Sequence, residues 1–224
     1  NENGYEKTKI KDILFASTGV IGEKFPLEEI KSNIDNLVSN LRMSQNKIIW
    51  LKVASAIMTT DTKPKVAYSE IKLGDKKVRI AGIAKGSGMI APNLATMLSF
   101  IFTDADISSA ILNKYLNKVI SKTFNAITVD SDTSTNDMVA LFSTKKIKSK
   151  KLNIISSKEA SKFEKALRIV CLDLAKQIVV DGEGAKKFIT IKIVNSETEE
   201  KAKKMGFSIA NSPLVKTAIA GEDP

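Results

Sequence analysis

The sequence predicts an α+β protein, and two observations support this fold class. Long segments with apolar residues at helical spacing alternate with short, nearly continuous apolar runs that are typical of strands. Residues 66–73 and 77–84 read as two strands joined by the turn-forming sequence Gly74-Asp75-Lys76, which is a hairpin signal. An antiparallel hairpin argues against an all-parallel sheet.

The first half of the chain is predicted to contain two helices besides the hairpin. Pro26 suits the first turn of a helix over residues 26–42, and Glu28 and Glu29 complement its positive end. A second helix is predicted over residues 46–58. Short apolar runs predict two further strands. Residues 13–17 are predicted to form a short buried strand, and residues 96–102 are apolar enough to form a strand that is buried on both faces.

The second half is predicted to be richer in helix. A helix capped by Asp106 or Ser108 should run to about residue 123, and Ser156 or Ser157 should cap the longest helix, which ends near residue 179. The remaining predictions are strands over residues 126–129 and 188–194, a polar loop over 130–137, a solvated lysine loop over 145–151, and a helix over 197–209.

The net charge of +10 raises the question of an anionic partner. The lysines are scattered, and the densest run contains no aromatic residue, so we predict no nucleic-acid partner. A basic nucleic-acid-binding module stays the alternative of a different kind, and it predicts salt-sensitive retention on DNA or RNA. No apolar run approaches the roughly 18 residues that a membrane span needs, so no membrane partner is predicted.

Cysteine and histidine content limit the chemistry further. The single Cys171 lies in an apolar helical pattern, which favours a buried small side chain and a reducing, cytoplasmic location. Without histidine or paired cysteine we predict no metal site, and the spacing of the 130–137 loop fits no EF-hand. Asn1 is not an initiator methionine, so we expect a piece of a longer protein.

The absence of histidine also excludes a Ser-His-Asp relay within this chain. A threonine at a new chain N-terminus needs no histidine, because its own α-amine takes the proton from its hydroxyl. Thr96 follows a loop with Gly86, Gly88 and Pro92, and its hydroxyl could attack the carbonyl of Ala95. The alternative is a structural threonine at the start of a strand.

Other polar residues stand at predicted element ends. Thr18 and Gly19 follow a predicted strand and together offer a hydroxyl and a backbone N–H that can hold an oxyanion, although an ordinary turn is the alternative. Lys85 precedes the glycine-rich loop and could neutralise a carboxylate, although a surface charge is the alternative. Thr62 and Glu183 are further candidates at element ends.

Six segments, in order, resemble the ornithine acetyltransferase (glutamate N-acetyltransferase) family of the arginine-biosynthetic cycle. They are STGVIGEKFP (17–26), TTDTKPK (59–65), KGSGMIAPNLATML (85–98), TVDSDTSTND (128–137), GEGAKKF (182–188) and SIANSPLVKTAIAGED (208–223). The resemblance implies two stacked β layers flanked by helices, as in N-terminal-nucleophile hydrolases. It also implies cleavage between Ala95 and Thr96 into an α chain (1–95) and a β chain (96–224), assembled as α2β2. A main domain would cover residues 1–180, and a smaller one would begin at residue 181.

The same resemblance implies the activity. Thr96 would accept the acetyl group of N-acetylornithine as an ester and pass it to glutamate, with no cofactor. The oxyanion hole would be formed by Thr18 and Gly19, and substrate would be bound by Thr62, Lys85, Thr96 and Glu183. Whether acetyl-CoA also serves as donor stays open. An amidase or aminopeptidase with the same nucleophile is the alternative, in which water replaces glutamate.

Overall fold

A computed structural model of the chain describes residues 13–20, 22–40, 47–91, 97–154 and 157–222. The chain divides into two compact units, residues 1–45 and 46–224. The sequence predictions for Ala95, Thr96, and the helix ends beyond residue 40 and before residue 47 fall outside the described residues.

The first unit contains one helix within its described residues, α1 (Leu27–Ser39), which has Glu28 and Glu29 in its first turn as predicted. Residues 13–17 have no regular secondary structure and are exposed, so the prediction of a buried strand there is wrong. A strand is held by hydrogen bonds to a neighbouring strand, and no described strand pairs with this segment.

The second unit is built on a mixed sheet in the order β1-β2-β3-β4. β1 and β2 form the predicted hairpin, β3 pairs antiparallel with β2, and β4 pairs parallel with β3. In chain order the regular elements are α2 (Lys47–Ala56), β1 (Lys65–Leu73), β2 (Lys76–Lys85), β3 (Leu98–Ala105), α3 (Ser109–Ile120), β4 (Met138–Ile147), α4 (Lys158–Val180), α5 (Glu199–Ala210) and α6 (Pro213–Gly221).

Helices cover both faces of this sheet. α4 packs on β1 and β2, and its Leu174 and Val170 lie so close to Gly82 that a side chain there would meet them. On the other face, Trp50 of α2 contacts the ring of Phe102 edge-on, with centroids 5.4 Å apart. Because successive residues of a strand point to opposite faces, this arrangement places β3 between helices. The predicted α+β class of a sheet flanked by helices is confirmed.

The helix caps follow the sequence closely. Ser157 precedes α4, and its hydroxyl accepts the N–H of Ala160. Thr198 accepts the N–H of Lys201 at the start of α5 in the same way. Ser108 precedes α3, but its side chain makes no capping hydrogen bond. Cys171 is fully buried in α4, and burial raises the pKa of its thiol to about 12, so its assignment as a buried small side chain is confirmed.

Two strand predictions in this unit are wrong, and one strand was not predicted. Residues 126–129, predicted to be a strand, begin with the last residue of a 3-10 turn over Phe124–Ala126, and residues 127–129 are neither helix nor strand. Residues 188–194 have no regular structure, because alternation of apolar residues defines a face but supplies no neighbouring strand. Conversely, β4 was not predicted, and it includes Lys145 and Lys146, which lie exposed at its end rather than in a loop.

None of the helices within the described ranges has the length and apolarity that crossing a membrane requires.

Candidate functional site

The sheet register brings three strand ends together. Lys85, the last residue of β2, pairs with Leu98, the first residue of β3, and Leu98 pairs in turn with Met138, the first residue of β4. The N–H of Met138 also donates to the carbonyl oxygen of Met97 at 3.0 Å. In the sequence, Met97 directly follows Thr96, the predicted nucleophile.

Lys85 is buried at this end, with 1% of its surface exposed. Burial lowers the pKa of its ammonium group, while the carboxylates of Asp61 and Asp137 oppose that shift. The alternative that Lys85 is an ordinary surface charge is therefore wrong. Its charge is held in a poorly solvated position, where it acts more strongly on a neighbouring anion than it would in water.

Asp137 is the last residue of the polar loop, directly before β4. Its Oδ1 accepts the N–H of Met97 at 2.7 Å. Its Oδ2 is buried and has no hydrogen-bond partner in the part of the chain that the structure describes. Burial raises the pKa of this carboxyl to about 6, against the lowering effects of the Met97 N–H and the charge of Lys85.

The glycine-rich loop after β2 is held by hydrogen bonds to three aspartates. The N–H of Gly86, which has φ +148°, donates to Oδ1 of Asp61 at 2.6 Å. The hydroxyl of Ser87 donates to the carbonyl of Asp181 at 2.6 Å. The N–H of Ile90 donates to Asp130 at 2.9 Å. The loop that leads to the predicted cleavage position is thus fixed by residues from three different segments.

Thr62 is held by the same residue that fixes Ser87. Its hydroxyl donates to the carboxylate of Asp181, and its N–H donates to the same carboxylate at 2.9 Å. The ammonium of Lys65 lies between this carboxylate and that of Asp61, at 2.6 Å from each. We call Asp61, Lys65 and Asp181 the buried ion triad. The triad joins the Thr62 loop to the end of α4 and to Gly86.

Glu183 lies over the glycine-rich loop. Its N–H donates to the carbonyl of Ser87 at 3.2 Å. Its carboxylate lies 2.7 to 2.9 Å from the point that a β-carbon on residue 88 would occupy. Thr62, Lys85 and Glu183 are therefore brought to one end of the sheet through shared partners, as a common site requires. Their substrate-binding roles stay predictions.

On the prediction that Glu183 binds substrate, we expect Gly88→Ala to raise the KM of the full-length protein for that substrate about tenfold with little loss of stability. The added methyl would displace the exposed, flexible carboxylate of Glu183, and losing one charged contact to substrate costs on the order of 1.5 kcal/mol. Initial rates against substrate concentration and a urea denaturation curve measure the two effects. Gly206→Ala is the control, since Gly206 lies in α5 and a β-carbon there would make only an ordinary van der Waals contact with Ile193. An unchanged KM would count against Glu183 as a binding residue.

Thr18 and Gly19 belong to the first unit. They lie in a segment without regular secondary structure, where Thr18 is half-buried and Gly19 is exposed. Their role as an oxyanion hole stays a prediction, as do the roles of Ala95 and Thr96.

A cavity of about 210 Å³ opens beside Asp137 and Met97. Its polar lining is otherwise neutral, from Asn113, Asn117 and Asn125. A larger and more open groove of about 500 Å³ lies along α5 and contains none of the predicted site residues, so we assign chemistry to the smaller cavity. Within the described ranges, no group of three or more His, Cys, Asp or Glu residues is arranged to hold a metal ion.

The fold and the site define an α+β protein in which buried charged side chains lie at the start of a central strand, β3. The chain belongs to the ArgJ family, whose model matches residues 3–224. The resemblance predicted from the sequence motifs is thereby confirmed.

Individual relatives agree with this assignment. The chain is 49% identical over 215 residues to the "Arginine biosynthesis bifunctional protein ArgJ" of Mesorhizobium japonicum, covering 95% of this chain and 51% of that protein. It is 48% identical over 220 residues to the protein of the same name from Bartonella henselae, covering 97% and 52%. The crystal structure of ArgJ from Bacillus halodurans matches with a TM-score of 0.53 at 42% identity, over 55% of this chain and 58% of that one. The chain thus spans about half the length of the relatives it matches.

Proposed function

We propose that the whole protein is a glutamate N-acetyltransferase that moves the acetyl group of N-acetylornithine to glutamate through an ester on Thr96. The observation that carries the proposal is the register of β2, β3 and β4. It places the buried charges of Lys85 and Asp137 at Met97, the residue bonded to the predicted nucleophile. The family membership of the chain supports the same activity.

The nucleophile arises by cleavage of the bond between Ala95 and Thr96. The α chain (1–95) and the β chain (96–224 and onward) stay associated and assemble as α2β2, with a smaller domain of the β chain beginning at residue 181. In the folded chain, β2 ends one side of this bond and β3 begins on the other, and they are hydrogen-bonded neighbours. Cleavage of the connecting loop therefore leaves the two ends held by the sheet.

The exchange proceeds in two balanced steps. The hydroxyl of Thr96 attacks the acetyl carbonyl while the α-amine of the same residue takes its proton. The hydroxyl of Thr18 and the N–H of Gly19 hold the developing oxyanion. The α-amine returns the proton to the departing nitrogen, so ornithine leaves and the acetyl group stays on Thr96. The α-amine of glutamate then attacks the ester carbonyl, and the α-amine of Thr96 passes the proton of the attacking nitrogen to the Thr96 oxygen. The bond between that oxygen and the acetyl carbon breaks, so N-acetylglutamate leaves and the free hydroxyl is restored.

The substrate-binding roles follow from charge. Lys85 carries a buried positive charge suited to a substrate carboxylate, and Glu183 carries a negative charge suited to the ammonium of the ornithine side chain. Thr62 supplies a hydroxyl whose position is fixed by Asp181. The chemistry uses only these side chains and needs no cofactor. The lone, buried Cys171 is consistent with a cytoplasmic location.

Incubating the full-length protein with N-acetylornithine and glutamate tests the proposal. We expect N-acetylglutamate and ornithine in equal amounts, with little acetate. Acetate as the main product would favour the amidase alternative, and no consumption of N-acetylornithine would overturn the proposal. A parallel incubation with acetyl-CoA and glutamate determines whether this enzyme also has a second donor, as the word "bifunctional" in its relatives' names suggests.

A further inference from the structure

The hydrogen bond between Thr62 and Asp181 has a defined direction. The Thr62 hydroxyl lies against Oδ1 of Asp181. Oδ2 of the same carboxylate accepts the N–H of Thr62 at 2.9 Å, the N–H of Lys63 at 3.3 Å and the ammonium of Lys65 at 2.6 Å. Burial alone would raise the pKa of the Asp181 carboxyl, but the hydrogen bonds from Lys65 and Thr62 outweigh burial and lower it. The carboxylate is therefore ionised at neutral pH and has no proton to give, so Thr62 is the donor.

This direction leaves Thr62 with one way to bind another molecule. A hydroxyl group has one hydrogen and two lone pairs. The hydrogen of Thr62 is committed to an anion, which is a stronger, charge-assisted hydrogen bond. Thr62 is exposed, whereas the side chain of Asp181 is only 6% exposed. A molecule that reaches Thr62 from solvent therefore meets an oxygen that can accept an N–H but cannot donate to a carboxylate.

The surrounding charges favour the same kind of ligand. The buried ion triad combines two carboxylates with one ammonium, so a substrate carboxylate at Thr62 would meet a net negative charge. Asp181 also connects Thr62 to Glu183. Its carbonyl accepts the hydroxyl of Ser87 at 2.6 Å, and the carbonyl of Ser87 accepts the N–H of Glu183 at 3.2 Å. Thr62 and Glu183 are thus held by the same set of hydrogen bonds.

The polar groups of N-acetylornithine identify the group that Thr62 binds. They are the acetyl carbonyl, the carboxylate, the side-chain ammonium and the amide N–H. The proposed function assigns the first three to the oxyanion hole, to Lys85 and to Glu183. The amide N–H is left, and it requires an acceptor.

We propose that Asp181 is a positioning residue that holds Thr62 as the hydrogen-bond acceptor for the nitrogen of the amide that is broken. The inference rests on the proposed function, which supplies this substrate. It covers both steps, because the α-amine of glutamate attacks from the position that the ornithine nitrogen has left and offers an N–H to the same oxygen. In each step the bond to Thr62 orients the lone pair of that nitrogen.

An ester analogue of N-acetylornithine tests the inference. An oxygen replaces its amide N–H, while the acetyl group, the carboxylate and the side-chain ammonium are kept. The measurement is the kcat/KM of the full-length protein for each acetyl donor, from the rate of N-acetylglutamate formation. In a reaction through a covalent intermediate, this constant reports only the formation of the acetyl-enzyme. We call kcat/KM for the amide divided by kcat/KM for the ester the amide-to-ester ratio. Comparing this ratio between variants cancels the intrinsic reactivity of the ester.

We expect Thr62→Val to lower the amide-to-ester ratio about tenfold, because valine keeps the shape of threonine but offers no lone pair to the amide N–H. Thr62→Ser should keep the wild-type ratio, since serine keeps the hydroxyl. A hydroxyl that donated to the substrate carboxylate would serve both donors alike. A Thr62→Val protein that loses rate with an unchanged ratio therefore overturns the inference. Ser121→Ala is the control, since this hydroxyl is also committed, to the carbonyl of Lys118 at 3.0 Å, and both constants should stay unchanged.

Asp181→Asn tests the positioning role itself. The Oδ2 position accepts three donors, so the amide oxygen of asparagine takes that position and its NH2 group faces Thr62. This group donates to the Thr62 oxygen, and the hydroxyl hydrogen turns outward. We expect the amide-to-ester ratio to fall at least about tenfold, and to stay at the Thr62→Val value when the two substitutions are combined.

The outcomes separate the inference from the proposed function. An Asp181→Asn protein with the wild-type amide-to-ester ratio overturns the role of Asp181. Thr62→Val leaves all three charges of the buried ion triad in place, so it decides the inference by itself where Asp181→Asn does not fold. A wild-type protein that forms no N-acetylglutamate from N-acetylornithine overturns the proposed function instead.

Discussion

Replacing Thr96 with alanine in the full-length protein should give a single uncleaved polypeptide with no measurable acetyl exchange. Alanine lacks the hydroxyl that attacks the carbonyl of Ala95, so no new N-terminus forms. It also lacks the hydroxyl that carries the acetyl group. Losing a covalent nucleophile and its base together removes several orders of magnitude in rate, on the order of 10⁶ where such groups act as a unit. Gel electrophoresis, intact mass and a coupled ornithine-release assay measure both effects.

Thr96→Ser is the control for this result. Serine keeps the hydroxyl and, after cleavage, the α-amine, and loses only a methyl group. We expect it to be cleaved, and to transfer acetyl groups at a reduced but measurable rate. A Thr96→Ala protein that is still divided between Ala95 and residue 96, or that still forms N-acetylglutamate, would contradict the role of Thr96 in the exchange.

The helices and the hairpin could be predicted from the sequence because their signals are local. The apolar spacing that gives α1 and α4, the Ser157 cap, and the turn at Gly74 all act within a few residues. Strands require a partner that local sequence does not specify. Residues 188–194 alternate well and yet form no strand. β4 was missed because its lysine-rich end resembles a loop, while its pairing with β3 comes from a segment about 40 residues away.

The site could be predicted in part. The motifs single out Lys85, Thr62 and Glu183, but charge in a sequence says nothing about burial, and only the structure shows that Lys85 is enclosed. Asp137 was included only as one member of a polar loop. Its position immediately before an apolar run was the available signal, since a carboxylate at a strand start can reach the backbone of the neighbouring strand. Lys65 was missed altogether, because a lysine after Pro64 looks like a solvated charge.

The second large effect is expected at Lys65. Its side chain is 1% exposed, and its ammonium contacts the two carboxylates of the buried ion triad, whose side chains are themselves almost fully buried. Lys65→Met keeps the length of the side chain and leaves Asp61 and Asp181 without their shared cation. Breaking a buried ion pair from one side costs roughly 3 to 5 kcal/mol in the free energy of unfolding. Urea denaturation of the full-length protein at pH 7 measures it.

Lys118→Met is the control because Lys118 makes an ion pair of similar length, 2.8 Å to Glu164, with a lysine side chain that is 63% exposed. Exposed pairs contribute about 0 to 1 kcal/mol, so this variant should unfold close to the wild type. Similar losses at both positions would show that the burial of Lys65 does not determine the cost.

The change in the stability of Lys65→Met with pH has a predictable direction. In the wild type, burial alone would raise the pKa of Asp61 and Asp181, but the hydrogen bonds and charge of Lys65, with nearby N–H groups, lower both. The two carboxylates therefore stabilise the folded protein at pH values above the carboxyl pKa of the unfolded chain, about 4. This stabilisation is lost as the pH falls below that value. Without Lys65, burial dominates and raises the carboxyl pKa values. The variant should then gain more stability than the wild type as the pH is lowered from 7 to 5, beyond the gain that protonation of Asp137, with its pKa raised to about 6, gives to both proteins. A destabilisation that stays constant over this range would mean that the two carboxylates are not the groups left uncompensated.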